Sequence, residues 1–172
     1  MKNLKNLRTL FFAAFALVVT TTISAQDIND AANYDQKFKL GFGVSGGIPT
    51  DGDDYDWALG GDVRLQYDLS KRTSLTLTTG FTNLFVGNDA PDLGFIPAKA
   101  GFKAFFWEDQ FYVMGEIGAG FAVTNDYDQT TLLWAPSIGY ATKHVDISVR
   151  YEDYDKFNTN QIALRLAYGF DL

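Results

Sequence analysis

Large apolar residues occupy every second position at the C-terminal end of this chain. From Gln161 to Leu172 the even-numbered residues are apolar, and the odd-numbered residues are small, polar or charged. A period of two places successive side chains on opposite faces of a β-strand, so this segment predicts a strand with one apolar and one polar face. Similar segments recur along the chain from about Phe38 onward.

The alternation predicts eight strands joined by two kinds of connection. Short polar turns centred near Ser70, Glu108 and Lys143 alternate with longer loops that are rich in aspartate. Most segments have the length that a tilted strand needs to cross a bilayer, about 9–11 residues, with a small overhang. The predicted strands cover, approximately, 38–48, 57–69, 73–85, 95–106, 111–122, 130–141, 145–152 and 161–172.

Each predicted strand has an apolar face, and no helical pattern is available to cover these faces. A closed barrel in lipid resolves the problem, because its apolar face points outward and its small and charged face points inward. We therefore predict an all-β fold, an eight-stranded antiparallel up-and-down transmembrane β-barrel over residues 38–172. In such barrels the short turns lie in the periplasm and the long loops lie outside the cell. A soluble lipocalin-like barrel is the alternative, but its apolar residues would point inward around a ligand.

Two prolines lie within predicted strands. Pro97 and Pro136 each remove a backbone donor from the hydrogen-bond ladder, and a closed barrel has no edge strand to accommodate the loss. We expect a bulge or a local break at each proline, either of which could shift the register by one residue.

The N-terminal segment has the features of a secretory signal. Lys2, Lys5 and Arg8 precede an apolar stretch, 10–19, that is shorter than the roughly 20 residues of a spanning helix. We expect residues 1–25 to be a signal peptide cleaved after Ala25, and residues 26–37 to be a short periplasmic segment. The chain has no cysteine, which excludes disulfide and thiol chemistry, and its net charge of −7 argues against nucleic acid as a partner.

Charged residues at inward positions predict a polar interior. An eight-stranded barrel has room inside for side chains only, so its buried charges must be paired. Hairpin symmetry places Glu116 opposite Gly101, with Lys99 and Lys103 diagonal to it, and we expect one of these lysines to hold Glu116. The alternative is a narrow polar conduit or a cavity for a small ligand. The predicted network comprises Asp62, Arg64, Lys99, Lys103, Glu116, Arg150, Glu152 and Arg165.

The loop aspartates are the only candidate metal ligands. Carboxylate oxygens suit calcium, and one loop concentrates them, but it lacks the spacing of an EF-hand and its terminal glutamate. We therefore predict no resident metal or cofactor, and a solvated acidic surface that divalent cations could link to lipopolysaccharide. The weak metal candidates are Asp51, Asp53, Asp54 and Asp56, and the other aspartates assigned to loops are Asp89, Asp92, Asp126, Asp128, Asp153 and Asp155.

The sequence offers no catalytic arrangement. His144 is the only histidine and falls in a short turn that we place in the periplasm. A serine nucleophile needs a nearby base, and none is predicted beside Ser70, Ser74 or Ser148. We therefore predict that the protein is not an enzyme.

The chain resembles the small eight-stranded outer-membrane barrels of Gram-negative bacteria, such as OmpX, the OmpA transmembrane domain and the wider porin-like β-barrel families. The hairpin pattern, the Ala25–Gln26 processing site and the terminal run Tyr168, Phe170 and Leu172 carry this resemblance. The resemblance implies an outer-membrane location and contact with lipid and lipopolysaccharide. It also implies that the terminal run is an assembly signal for the barrel-assembly machinery. We expect a monomer.

Two functions remain open at the level of the sequence. One is a membrane anchor whose acidic extracellular loops have a structural or surface-interaction role. The other is a small passive channel, or a binder or transporter of a small ligand. Neither requires a catalytic residue.

Overall fold

The structure is a computed structural model that describes residues 34–51, 55–87, 91–124 and 129–172. The expected signal peptide, residues 1–25, and most of the segment 26–37 lie outside the described residues. Within the described ranges, no helix is both long and apolar enough to cross a membrane.

Eight strands form, as the alternation predicts. A one-turn helix, α1 (Trp107–Gln110), connects β4 to β5, and a short 3₁₀ helix (Asp155–Phe157) lies between β7 and β8. The strands are β1 (Phe38–Asp51), β2 (Trp57–Asp68), β3 (Thr73–Phe85), β4 (Leu93–Phe106), β5 (Phe111–Ala122), β6 (Thr130–Ala141), β7 (Val145–Tyr154) and β8 (Thr159–Asp171).

The strands close into a barrel in sequence order. Each strand pairs antiparallel with the next, and β1 pairs with β8 from Lys39↔Asp171 to Asp51↔Asn160. Closure leaves no strand edge without a partner. The three tight connections therefore lie at one end of the barrel, together with the first residue of β1 and the last residue of β8. We call this end the turn end, and the opposite end, which carries the remaining connections, the loop end. The fold class predicted from the sequence is confirmed.

Polar and apolar residues are arranged inside out relative to a soluble barrel. In β8, for example, Leu164 is 57% exposed on the outer wall whereas its neighbour Arg165 is 1% exposed in the interior. The same alternation continues along the other strands. Large apolar side chains on the outer wall include Phe42, Val44, Leu59, Leu75, Leu77, Ile96, Ile117, Leu132, Ile138, Ile147, Val149, Ile162, Leu164 and Leu166.

Both prolines interrupt the ladder without changing its register. Pairing of β3 with β4 stops at Thr79↔Ala98 and resumes at Thr82↔Phe95 with the same offset, so the gap lies beside Pro97. Pairing of β6 with β7 has a similar gap beside Pro136. The expected local breaks are present. The register does not shift at these positions, because a proline removes a backbone hydrogen bond from the ladder without adding a residue to the strand.

The hairpin between β7 and β8 is longer than the sequence predicts. β7 continues to Tyr154 and β8 begins at Thr159, so the loop expected over 153–159 shrinks to a few residues. Asp153, assigned to a solvated loop, is instead a strand residue and is buried. Asn158 closes the tight connection with a φ of 50°, a left-handed conformation that asparagine tolerates better than most residues.

Candidate functional site: the interior of the barrel

Asp62, on β2, lies at the centre of the charged interior. Arg165 on β8 binds its carboxylate with both arms of the guanidinium group, Nε to Oδ2 at 2.8 Å and Nη2 to Oδ1 at 2.5 Å. Arg150 on β7 approaches the same carboxylate, with its Nη1 at 3.9 Å from Oδ2. Its Nη2 donates to the hydroxyl of Ser45 at 3.0 Å. A bidentate pair of this kind fixes both side chains in one geometry.

Glu116, on β5, is held from across the barrel rather than by a neighbouring strand alone. Arg64 on β2 donates from Nη2 to both of its carboxylate oxygens, at 3.3 and 3.2 Å, and the Thr78 hydroxyl donates to it at 2.7 Å. Lys99, one of the two expected partners, lies 3.7 Å away. The expectation that one of the two lysines lies against Glu116 is therefore met by Lys99, whereas Lys103 has another partner. Adjacent-strand geometry misses Arg64, because long side chains in a narrow barrel reach strands that are not neighbours in the sheet.

Lys103 pairs with Asp146 on β7 instead. Its Nζ lies 2.6 Å from Asp146 Oδ2, and it stands over the rings of Tyr112 and Phe105 at 3.8 and 4.9 Å from their centroids. The Tyr112 hydroxyl donates to the other oxygen of Asp146 at 2.7 Å. A carboxylate and two aromatic faces therefore hold one ammonium group.

Glu152, on β7, accepts hydrogen bonds from three directions. Lys99 Nζ donates at 2.9 Å, the Tyr154 hydroxyl at 2.8 Å and Gln161 Nε2 at 2.6 Å. Arg150 Nε lies 3.4 Å from the same carboxylate. All eight residues that the sequence assigned to the lumen are thus connected in one group with Asp146. The neutral partners Ser45, Thr78, Tyr112 and Gln161 were not predicted as members of the network, although their inward positions in the alternation were a usable signal.

An apolar cluster, which we call the cap, fills the interior at the loop end. Phe95 is 0% exposed, with its ring centroid 5.0 Å from that of Tyr154 and 5.4 Å from that of Phe157 in the 3₁₀ helix. The sequence does not predict this cap, because Phe157 reaches it only through the fold of the connection between β7 and β8. The cap consists of Ala58, Leu84, Leu93, Phe95, Leu133, Tyr154 and Phe157.

The turn end of the interior is more accessible. Lys39 Nζ lies 3.2 Å from Asp68 Oδ2, and the Lys39 side chain is 36% exposed. The Asp146 side chain is 18% exposed, compared with 3% for that of Glu152. Access to the charged interior is therefore greater from the turn end than from the capped loop end.

The remaining sequence candidates lie outside the charged interior. His144 stacks on Tyr168 with ring centroids 5.5 Å apart, and its Nδ1 lies 3.1 Å from the Gly169 carbonyl oxygen. The assembly-signal candidates Tyr168, Phe170 and Leu172 are all exposed at the turn end of the chain.

Two of the four metal candidates lie in a segment outside the described residues. Asp53 and Asp54 lie outside the described residues, and Asp51 is the last residue of β1. Asp56 is described, and its amide donates to the Phe85 carbonyl oxygen at 2.9 Å. Among the residues that the structure describes, no group of three or more His, Cys, Asp or Glu side chains is arranged to hold a metal ion.

No protein-family model matches the chain, and no curated protein matches it by sequence. Solved structures do. Ail, the attachment invasion locus protein of Yersinia pestis, in complex with the heparin analogue sucrose octasulfate, superposes with a TM-score of 0.56 at 15% identity. The match covers 81% of this chain and 100% of that one. The fold is that of the small eight-stranded outer-membrane β-barrels.

Two further structures agree. Ail in a phospholipid bilayer nanodisc matches with a TM-score of 0.53 at 15% identity, covering 77% of this chain and 99% of that one. The N-terminal β-barrel domain of Pseudomonas aeruginosa OprF matches with a TM-score of 0.50 at 12% identity, covering 79% of this chain and 100% of that one. The resemblance inferred from the sequence is confirmed at the level of the fold.

Proposed function

We propose that this protein is a non-enzymatic barrel of the outer membrane of a Gram-negative bacterium, where it anchors its loops at the cell surface. The observation that carries the proposal is the inverted wall of the barrel. Leucine, isoleucine, valine and phenylalanine cover the outside, and the charged network is buried inside. In water such a continuous apolar surface would drive aggregation. In a bilayer the same surface contacts the apolar lipid chains, so its exposure costs little.

The filled interior supports an anchor over the alternative of a small passive channel or ligand transporter. The charged side chains are joined by ion pairs across the lumen, and the cap closes the loop end above them. A conducting path would require several of these pairs to break in a low-dielectric interior, where an uncompensated charge is costly.

The loops are the part of the proposed anchor that meets the outside. They are acidic, so a cationic partner, or divalent cations shared with lipopolysaccharide, fits them better than an anionic ligand. We therefore do not propose a sulfated sugar, such as the one bound by Ail, as a ligand of these loops. Lipid contacts the outer wall, the barrel-assembly machinery reads Tyr168, Phe170 and Leu172 during biogenesis, and the barrel is a monomer.

Fractionation tests the proposed location. The protein is expected to stay with the outer membrane after a carbonate wash and to migrate differently in electrophoresis before and after boiling. Recovery in the soluble periplasm or in the medium would contradict the proposal.

Uptake of small solutes into reconstituted liposomes then separates anchor from channel. The full-length barrel and a variant with its loops shortened to two-residue turns should both leave permeability at the level of protein-free liposomes. Rapid solute uptake through either protein would favour the channel.

A further inference from the structure

A groove with a volume of about 530 Å³ crosses the outer wall of the barrel from β1 to β5. It lies between two rows of outward-facing side chains, and the residues within each row stand directly opposite one another on successive strands. The first row runs from Leu40 on β1 to Ile117 on β5, and the second runs from Val63 on β2 to Ala98 on β4. The register of the sheet therefore determines which side chains border the groove.

Small side chains on β4 form the floor of the groove. Four successive outward residues of this strand are Ile96, Ala98, Ala100 and Phe102, so two alanines lie between two large side chains. Between the alanines the backbone itself lines the groove, because the side chain of Lys99 points into the interior, where the residue is 4% exposed. Atoms that line an unfilled depression lose dispersion contacts, so a molecule that fills this groove is attracted to it.

The groove rises from the turn end to the middle of the outer wall. Leu40 lies two residues after Phe38, the first residue of β1, whereas Ile117 lies six residues after Phe111, the first residue of β5. Neighbouring strands are about 4.8 Å apart, so a groove that crosses five strands is about 19 Å long. One leaflet provides about 15 Å of hydrocarbon, half of the bilayer core. The length of this inclined groove therefore matches the depth of one leaflet.

We propose that the groove holds one acyl chain of a phospholipid from the leaflet at the turn end, which is the periplasmic leaflet in the proposed orientation. The proposal rests on the proposed membrane location, because the groove is continuous with the apolar outer wall that contacts lipid. It goes further than that location, since it assigns one lipid chain to a defined place on the wall.

The chemistry of the lining selects a hydrocarbon chain. Among the residues that line the groove, the hydroxyl of Thr79 is the one polar side-chain group at an outward position. Outward side chains two positions apart along a strand are about 6.8 Å apart. Carbon atoms in contact lie about 3.5–4.0 Å apart, so one methylene chain fits between two such rows, whereas a ring system or a helix is too wide.

A phospholipid with bromine atoms on its acyl chains is the direct probe. Crystals of the folded full-length barrel, grown in a lipid phase that contains this phospholipid, should show ordered anomalous peaks against Ala98 and Ala100. Peaks spread evenly around the outer wall, or no peak in the groove, would overturn the proposal.

Native mass spectrometry of the detergent-solubilised barrel measures the affinity. In a titration with phosphatidylethanolamine the unaltered protein should retain one lipid molecule. Ala100→Phe should require roughly tenfold more lipid for the same retention, because the ring fills the groove. Ala98→Leu should weaken retention in the same direction, and it replaces Ala100→Phe in the test if that variant does not fold. Val149→Phe is the matched control, since Val149 faces outward on β7 and does not line the groove, and it should leave retention unchanged.

The outcomes distinguish this proposal from the proposed function. Equal retention of lipid by the unaltered protein and by the variants in the groove would overturn the lipid site. It would leave the outer-membrane location, which fractionation tests separately, unaffected. A dimer in the mass spectrum that Ala100→Phe dissociates would show that a second copy of the barrel fills the groove, and would also overturn the proposal.

Discussion

Arg165 reaches past β1 to bind Asp62, and Gly43 on β1 provides the space for this contact. A Cβ atom built on Gly43 would lie 2.7 Å from Arg165 Nη2 and 2.8 Å from its Nε. Asp62 holds the guanidinium group by two hydrogen bonds, so it cannot move aside without losing one of them. A glycine in the wall is thus part of the central ion pair, although it contributes no side chain.

Gly43→Val should therefore destabilise the barrel by about 1–3 kcal/mol, the usual cost of overpacking an interior. Gly46 lies on the same strand but points outward, and a Cβ atom there would meet nothing within 4 Å. Gly46→Val should change stability by no more than about 0.5 kcal/mol. Urea unfolding of both variants in lipid vesicles measures the difference, and equal effects would show that Gly43 makes no special room for Arg165.

The strands could be predicted from the sequence because each carries its own signal. Alternation in Gln161–Leu172 defines the facing of β8 without reference to any other strand. The same reasoning placed Arg64, Glu116 and Glu152 in the interior. It could not pair them, because which side chains meet across a barrel depends on strand tilt and on the cross-section of the closed sheet. The cap was missed for a similar reason, since Phe157 becomes an interior residue only when the connection between β7 and β8 folds inward.

Double-mutant cycles should separate the true partners of Glu116 from the rejected one. Glu116→Gln combined with Arg64→Met should show a coupling free energy above about 1 kcal/mol, because Arg64 and Glu116 are buried and hydrogen-bonded. Glu116→Gln combined with Lys103→Met should show coupling near zero, since Lys103 binds Asp146 instead. Either single change at Glu116 or Arg64 leaves a charge unpaired and should cost about 3–5 kcal/mol.

The exposed pair Arg72–Asp109 is the reference for these cycles. Its two side chains are 55% and 42% exposed at the turn end, so its coupling should not exceed about 1 kcal/mol. A coupling for Lys103 with Glu116 as large as that for Arg64 would mean that the interior pairs exchange partners freely.

Arginine substitutions should report the depth of the outer wall in the bilayer. Leu164 lies near the middle of β8 and faces outward, so Leu164→Arg should cost about 2–4 kcal/mol of folding free energy in lipid vesicles. Phe170 faces the same way near the end of the strand, where the charge of an arginine costs about 0–1 kcal/mol. A Leu164→Ala variant measures the packing loss by itself. If arginine and alanine had equal effects at position 164, this face of β8 would not contact lipid.

Cysteine labelling should reveal which end of the barrel faces out of the cell. The natural chain has no cysteine, so a single introduced thiol gives an unambiguous signal. Lys156, at the loop end, and Lys71, in the turn between β2 and β3, are both exposed residues. Lys156→Cys should react with a membrane-impermeant maleimide on intact cells, whereas Lys71→Cys should react only after the outer membrane is permeabilised. The reverse pattern would invert the proposed orientation.

The filled interior should prevent steady conduction of ions. A variant of the cap tests whether the cap or the charged network below it blocks the current. Purified protein in a planar bilayer should be silent or show rare flickers. Phe95→Ala should destabilise the barrel by about 3–5 kcal/mol, because Phe95 is wholly buried between Tyr154 and Phe157. It should nevertheless remain silent, because the network of Lys99, Glu152 and Arg150 still spans the interior below the cap. Steady current from the Phe95→Ala variant alone would show that the cap is what blocks the current. Porin-sized current steps from the unaltered protein would contradict the anchor function and indicate a transport function.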